Sequence, residues 1–246
     1  MLASKPWQIE IFLKLLLRLL LCFGVGMVTF AGLRAALGES AVKDSLLAIG
    51  VSMVTTHGAV LVLAWFFVRE HSLSWRRAFG LDQQAVSAVA LGAAVAVIVL
   101  PVMWLVQGLV LGLAKQHGYE FDVQTPIRLL RELHGFWPKF LLGVFAMFIA
   151  PVAEELFFRG ILYPLVKQHT SRAFAVVTVA LFFALMHGNV PVILPLTLLA
   201  IVLTLLYEWT GNLLACVTVH AFFNAANFVA LFFERELTEL LKTTVQ

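Results

Sequence analysis

Charge is scarce in this chain. Only 13% of its 246 residues are Asp, Glu, Lys or Arg, against roughly 25% in an ordinary soluble domain. That scarcity argues against a soluble fold. The net charge of +3 is spread over scattered basic residues, so no electrostatic footprint for nucleic acid is present. Cysteine is nearly missing. Cys22 and Cys216 stand in separate apolar runs, which excludes a disulfide framework and a CxxC pair. No serine or cysteine is placed with a histidine so as to suggest a nucleophile. The HExxH pattern and a glycine-rich phosphate loop are both absent. No internal repeat or low-complexity linker occurs.

What the chain has is apolar length. Hydrophobic residues make up 61% of it, and mean hydropathy is +0.96. A membrane span needs about 20 mostly apolar residues, and only helices satisfy their own backbone within such a run. Spans are expected near 15–33, 46–68, 86–113, 140–166, 173–186, 193–207 and 213–233. The fifth and sixth are short. An eighth helix is expected to lie in the interface at 125–135. There Ile127, Leu129, Leu130 and Leu133 alternate with Arg128, Arg131 and Glu132, and Trp137 follows as an anchor. The expected fold is all-α, a polytopic transmembrane bundle of seven to eight helices with an intramembrane polar site. It forms one membrane domain, divided into N-terminal helices (1–139), a helical core that holds the polar site (140–233) and a tail (234–246). The run after Lys14 carries Arg18 and has no small-residue cleavage site, so it reads as a retained first span. Lys5, Lys14, Arg18 and Arg76-Arg77 favour an N-terminus on the inner side.

Polar groups inside apolar runs are costly in a bilayer and mark function by default. Three fragments qualify: Glu154-Glu155-Leu156-Phe157-Phe158-Arg159, Phe183-Ala184-Leu185-Met186-His187, and His220-Ala221-Phe222-Phe223-Asn224. Residues four apart share a helical face, so Glu155 can pair with Arg159. Glu154 is turned away by about 100°. One arginine neutralises one carboxylate, which leaves Glu154 as a candidate general base. A structural ion pair locking the bundle is the alternative, and the second glutamate weighs against it. Taken singly, His187 could be an interfacial histidine and His220–Asn224 interhelical glue. At 1.5 Å per residue the three fragments lie roughly 18, 20 and 10 Å from the same membrane face, so tilted antiparallel helices can bring them together. His57, after Thr55-Thr56, has no acid or amide beside it and reads as a packed or backbone-bonded histidine. Glu208-Trp209, close to Gly211-Asn212, reads as a turn at the membrane surface.

The motifs EExxxR, FxxxH and HxxxN occur in order in apolar helices, and Ala150-Pro151-Val152-Ala153 precedes the first. This arrangement resembles the CPBP family, the CAAX-prenyl-endopeptidase and bacteriocin-processing intramembrane proteases, also called the Abi family. The similarity covers about 147–228. It implies an intramembrane endopeptidase acting on a membrane-associated peptide or lipopeptide, of the CAAX or bacteriocin-precursor kind, in the cell inner membrane if bacterial. Glu154 would activate water, His187 would help position it, and His220 and Asn224 would form an oxyanion hole. Glu155, Arg159 and Phe183 would support the site. The family is described both as metal-dependent and as metal-independent. The residues favour water activation by Glu154 without a tightly bound metal, because Asn is a poor zinc ligand. If zinc is bound, Glu154, His187 and His220 are its ligands. One departure is the lack of glycine over 197–206, ahead of Tyr207-Glu208-Trp209-Thr210-Gly211. A non-proteolytic membrane partner or bacteriocin self-immunity protein of the same fold is the alternative function. A small transporter fits less well, because the charged motifs crowd into the C-terminal part and show no paired half-sequence symmetry.

Overall fold

The computed structural model describes residues 2–38, 46–81, 84–119, 121, 125–133 and 135–233. The 234–246 tail lies outside them. Among the described residues all regular structure is helical. Helix α1 is Ile9–Leu37. Helix α2 runs over Leu46–Met53, passes through a π-helical stretch at Val54–Gly58 and continues over Ala59–Glu70. The short α3 is Trp75–Phe79, and α4 is Ala85–Gln116. Helix α5 is Thr125–Glu132, within the expected interfacial segment. Helix α6 spans Phe136–His169, with π-helical stretches at Phe145–Ile149 and Leu156–Leu162. Helix α7 is Arg172–Leu185, α8 is Ile193–Thr210 and α9 is Leu213–Phe232.

Six of these helices are long and apolar enough to cross a membrane: α1, α2, α4, α6, α8 and α9. The run at 173–186 forms α7, which has 14 residues and stays short of a full span. Helix α8 is lengthened by a 3₁₀ turn at Val190–Val192, giving 21 residues over Val190–Thr210. The chain is an integral multi-pass membrane protein.

Local chemistry ends these helices where the sequence punctuates them. Ser171 caps α7 by accepting from the Phe174 amide, and Asn212 caps α9 by accepting from the Leu214 amide. Gly211 closes α8 in the left-handed region at φ 63°, which favours glycine. Gly80, at φ 71°, lies directly against the Gly211 carbonyl, where a Cβ would collide. This contact ties the α3 turn to the α8–α9 turn.

Burial is uneven. Half of the α8 span is buried, against 17% of α1. Helix α8 is therefore central, while Leu13, Leu17, Leu20 and Val28 of α1 face outward as an apolar, lipid-compatible surface. Lipid tails are as apolar as leucine, so close packing rather than hydrophobic expulsion holds such helices together. Gly92 of α4 shows it: a Cβ there would stand 2.6 Å from the Ala215 carbonyl of α9. Leu199, Leu203, Phe183 and Tyr207 fill the middle of α6 to α9. One end of the bundle is knitted by polar contacts. Trp7 Nε1 donates to the Gly160 carbonyl at 3.0 Å, and the Gln8 amide donates to His71 Nε2 at 3.0 Å.

Candidate active site

Helix α6 carries Glu154, Glu155 and Arg159 between and within its two π-helical stretches. Such stretches are rare and occur frequently at functional sites. Arg159 and Glu155 have no solvent exposure. Arg159 Nη1 donates to Glu155 Oε1 at 2.9 Å, and Nη2 donates to the Ala200 carbonyl of α8 at 3.2 Å. The guanidinium stands 4.6 Å from the Phe183 ring centroid, a cation–π contact from α7. Phe183 also meets His220 edge-on at 5.8 Å and His187 at 4.8 Å. This one phenylalanine thus packs against three polar site residues.

His220 of α9 lies between the two glutamates. Its Nδ1 is 2.7 Å from Glu155 Oε1, and its Nε2 is 3.8 Å from Glu154 Oε2. Paired with Arg159, Glu155 Oε1 is placed to accept from His220 Nδ1. His187 gives its own Nδ1–H to the Phe183 carbonyl at 2.8 Å, and its Nε2 makes no hydrogen bond to the described residues. Both imidazoles lie within electrostatic range of the Glu154 carboxylate. Unlike them, Asn224 is turned aside: its Nδ2 donates to the Ala146 carbonyl, in the first π-helical stretch of α6, at 2.9 Å. Among the described residues it bonds none of Glu154, His187 or His220.

Glu154 and Glu155 each leave a buried Oε2 without a hydrogen bond among the described residues, but only Glu154 of the two has any exposure, 20% of its side chain. Glu154 Oε1 has a partner that the sequence reading passed over. His57 Nε2, in the π-helical stretch of α2, stands 3.3 Å away. The reading of His57 as a packed or backbone-bonded histidine is therefore corrected: an acid does neighbour it, from a helix 97 residues along the chain. A signal existed. His57 lies 13 residues before Glu70, or roughly 20 Å along the helix, a depth comparable with that of Glu154.

A second correction concerns Glu208. It is not at a surface turn but 1% exposed. Lys167 Nζ donates to both its oxygens at 2.7 and 2.8 Å, and the Tyr163 hydroxyl donates at 2.8 Å. Arg172 approaches at 3.9 Å. As to metal, no three or more His, Cys, Asp or Glu side chains among the described residues gather in an arrangement that could hold an ion. The candidate zinc set of Glu154, His187 and His220 is not gathered in such a group.

Residues 136–226 match the family model described as type II CAAX prenyl endopeptidase, Rce1-like. The chain therefore carries an Rce1-like domain of the CPBP family over that segment, which contains all three motifs but not His57. No curated protein and no solved structure matches the chain.

Proposed function

We propose that the protein is an intramembrane endopeptidase that hydrolyses a membrane-associated substrate, a CAAX-type or bacteriocin-precursor-like lipopeptide, with water activated by Glu154. The observation that carries the reading is Glu154 Oε2, a carboxylate oxygen with no donor among the described residues, on a side chain that is 20% exposed and next to His220 Nε2 at 3.8 Å. Glu155 Oε2 likewise lacks a donor among the described residues, but Glu155 is sealed from solvent and paired with Arg159, whereas the Glu154 side chain can be reached by water. An acceptor left open is what a general base needs.

In this mechanism Glu154 Oε2 takes a proton from water as the oxygen attacks the scissile carbonyl, with His187 Nε2 accepting the second water hydrogen bond. Charge then develops on the carbonyl oxygen. His220 has committed Nδ1 to Glu155, so it serves the oxyanion through Nε2–H in its imidazolium form. Asn224 keeps one amide hydrogen beyond the one given to Ala146. Collapse returns the proton from Glu154 to the leaving amine. Glu155 and Arg159 hold His220 in place, and Phe183 packs the group. The 140–233 core would carry the chemistry, and the 1–139 helices would frame it. In a bacterial cell the protein would sit in the inner membrane.

The test uses purified protein in nanodiscs and a quenched fluorogenic farnesylated CAAX peptide, beside its unprenylated form. Cleavage is expected in the wild type. Glu154→Gln is expected to lower turnover by about 10²–10⁴, the usual contribution of a general base, while the protein stays folded. Equal turnover of the two proteins overturns the base assignment. Peptide left intact under every condition would favour the non-proteolytic alternative. Turnover is expected to survive dialysis against a chelator, and restoration by added zinc would overturn the metal-free route.

A further inference from the structure

Among the described residues Glu154 has no Lys or Arg partner. Arg159 is spent on Glu155 and the Ala200 carbonyl, and the neighbours that face Glu154 are imidazoles: His220 from α9, His187 from α7 and His57 from α2. The first two belong to the segment that matches the family model. His57 lies outside it. Yet His57 makes the shortest of the distances recorded to Glu154, 3.3 Å from Nε2 to Oε1, against 3.8 Å for His220.

The protonation of His57 follows from its other side. The Thr56 hydroxyl donates its one hydrogen to the Ser52 carbonyl at 2.6 Å. It therefore meets His57 Nδ1, at 2.9 Å, as an acceptor. Nδ1 carries a hydrogen, so a neutral His57 presents a lone pair at Nε2. A lone pair facing a carboxylate oxygen at 3.3 Å is repulsive. The contact is sound only with a proton between the two atoms, on Nε2 as imidazolium or on Oε1 as carboxylic acid. Either way Oε1 is occupied, and the open acceptor is Oε2. The imidazole plane is set by the edge of Phe145, 4.9 Å away at 85°.

We propose that His57 is the positioning residue of Glu154: it holds Oε1 through a shared proton and so presents Oε2 to the attacking water. This rests on Glu154 being the base. The proton balance closes without a further reactant. In the step the shared proton resides on His57 Nε2, so Glu154 is a carboxylate: water gives its proton to Oε2, His57 Nε2–H stays bonded to Oε1, and Oε2 returns its proton to the leaving amine. A helix outside the Rce1-like segment thereby completes the site, and the Ser52–Thr56–His57 chain orients it from behind.

The test compares His57→Phe, which keeps the ring shape beside Phe145, with His57→Gln, which keeps a donor for Oε1. On the farnesylated peptide, His57→Phe is expected to lower kcat about 10–100-fold, as removal of an orienting partner does, with KM unchanged. His57→Gln is expected to recover part of the loss. Wild-type kcat in His57→Phe overturns the proposal, as does an equal loss in both variants. A second measurement needs no turnover: thermal unfolding of His57→Phe alone, of Glu154→Ala alone and of the double variant. Coupled changes are expected, and strictly additive ones overturn the direct contact. The two readings fail separately. Full activity of Glu154→Ala removes the base itself, whereas an inactive Glu154→Ala beside a fully active His57→Phe removes only the role of His57.

Discussion

Glu208 and Glu154 are both carboxylates sunk among apolar helices, and the protein treats them in opposite ways. Both oxygens of Glu208 are satisfied by Lys167, and Tyr163 adds a further donor. Glu154 meets one imidazole at Oε1 and leaves Oε2 open. Glu208 joins the ends of α6 and α8 to the N-terminal segment, since Lys167 also donates to the Leu2 carbonyl at 3.0 Å. A saturated carboxylate is a fastener, because nothing more can approach it. An unsaturated one costs stability, and Glu154, 20% exposed against 1% for Glu208, is open to an incoming group that would complete it.

The comparison breaks most visibly at Arg159, the cation paired with Glu155 beside the open base. Arg159→Ala strands Glu155 without solvent, and an uncompensated buried charge costs about 3–5 kcal/mol. Thermal unfolding in micelles should show that loss, and turnover should fall as His220 loses its anchor. Stability within error of the wild type would show that the pair contributes nothing to folding. Asn224→Ala should come next. Losing one oxyanion donor costs about 10²–10³ in turnover, and kcat should carry it with KM nearly constant. A rise in KM at constant kcat would make Asn224 a substrate-binding residue instead.

Glu208→Gln tests the fastener. It keeps the shape and removes the charge from hydrogen bonds worth about 1.5–3 kcal/mol. The unfolding midpoint should drop while turnover per folded molecule stays at the wild-type value. A selective loss of kcat would give Glu208 a part in the chemistry. The smallest effect concerns Lys5, outside the spans, which has no carboxylate partner among the described residues. Burial holds its ammonium below the ordinary 10.5. The unfolded chain then binds more protons below that value, so stability should rise with pH up to about 10.5. Wild type minus Lys5→Met, followed by unfolding midpoint against pH, should show this slope. A flat difference would mean that Lys5 titrates as it does in water.

Much of this was legible before folding was considered. Apolar runs of span length leave the backbone no alternative to helices, so the all-α membrane bundle follows from hydropathy alone. The Glu155–Arg159 contact lies within one helix, where four residues make one turn. Partners on other helices were less legible. His220 and Glu155 are 65 positions apart and His57 and Glu154 are 97 apart. Helix depth could place these residues at compatible heights, but rotation about the helix axis decides whether side chains meet. The π-helical stretches on α2 and α6 shift that rotation, and apolar periodicity does not reveal them.

Sequence by itself determined that the chain crosses a membrane, that its polar residues concentrate in three motifs, and which helical face each motif occupies. Covalent spacing and the absence of water in the bilayer suffice for that. Tertiary structure decided which carboxylate is closed and which is open. Lys167 and Tyr163 reach Glu208 from α6, α9 brings His220 to Glu155, and α2 brings His57 to Glu154 Oε1. Saturation is a count of donors arriving from several helices, and no single stretch of sequence contains that count.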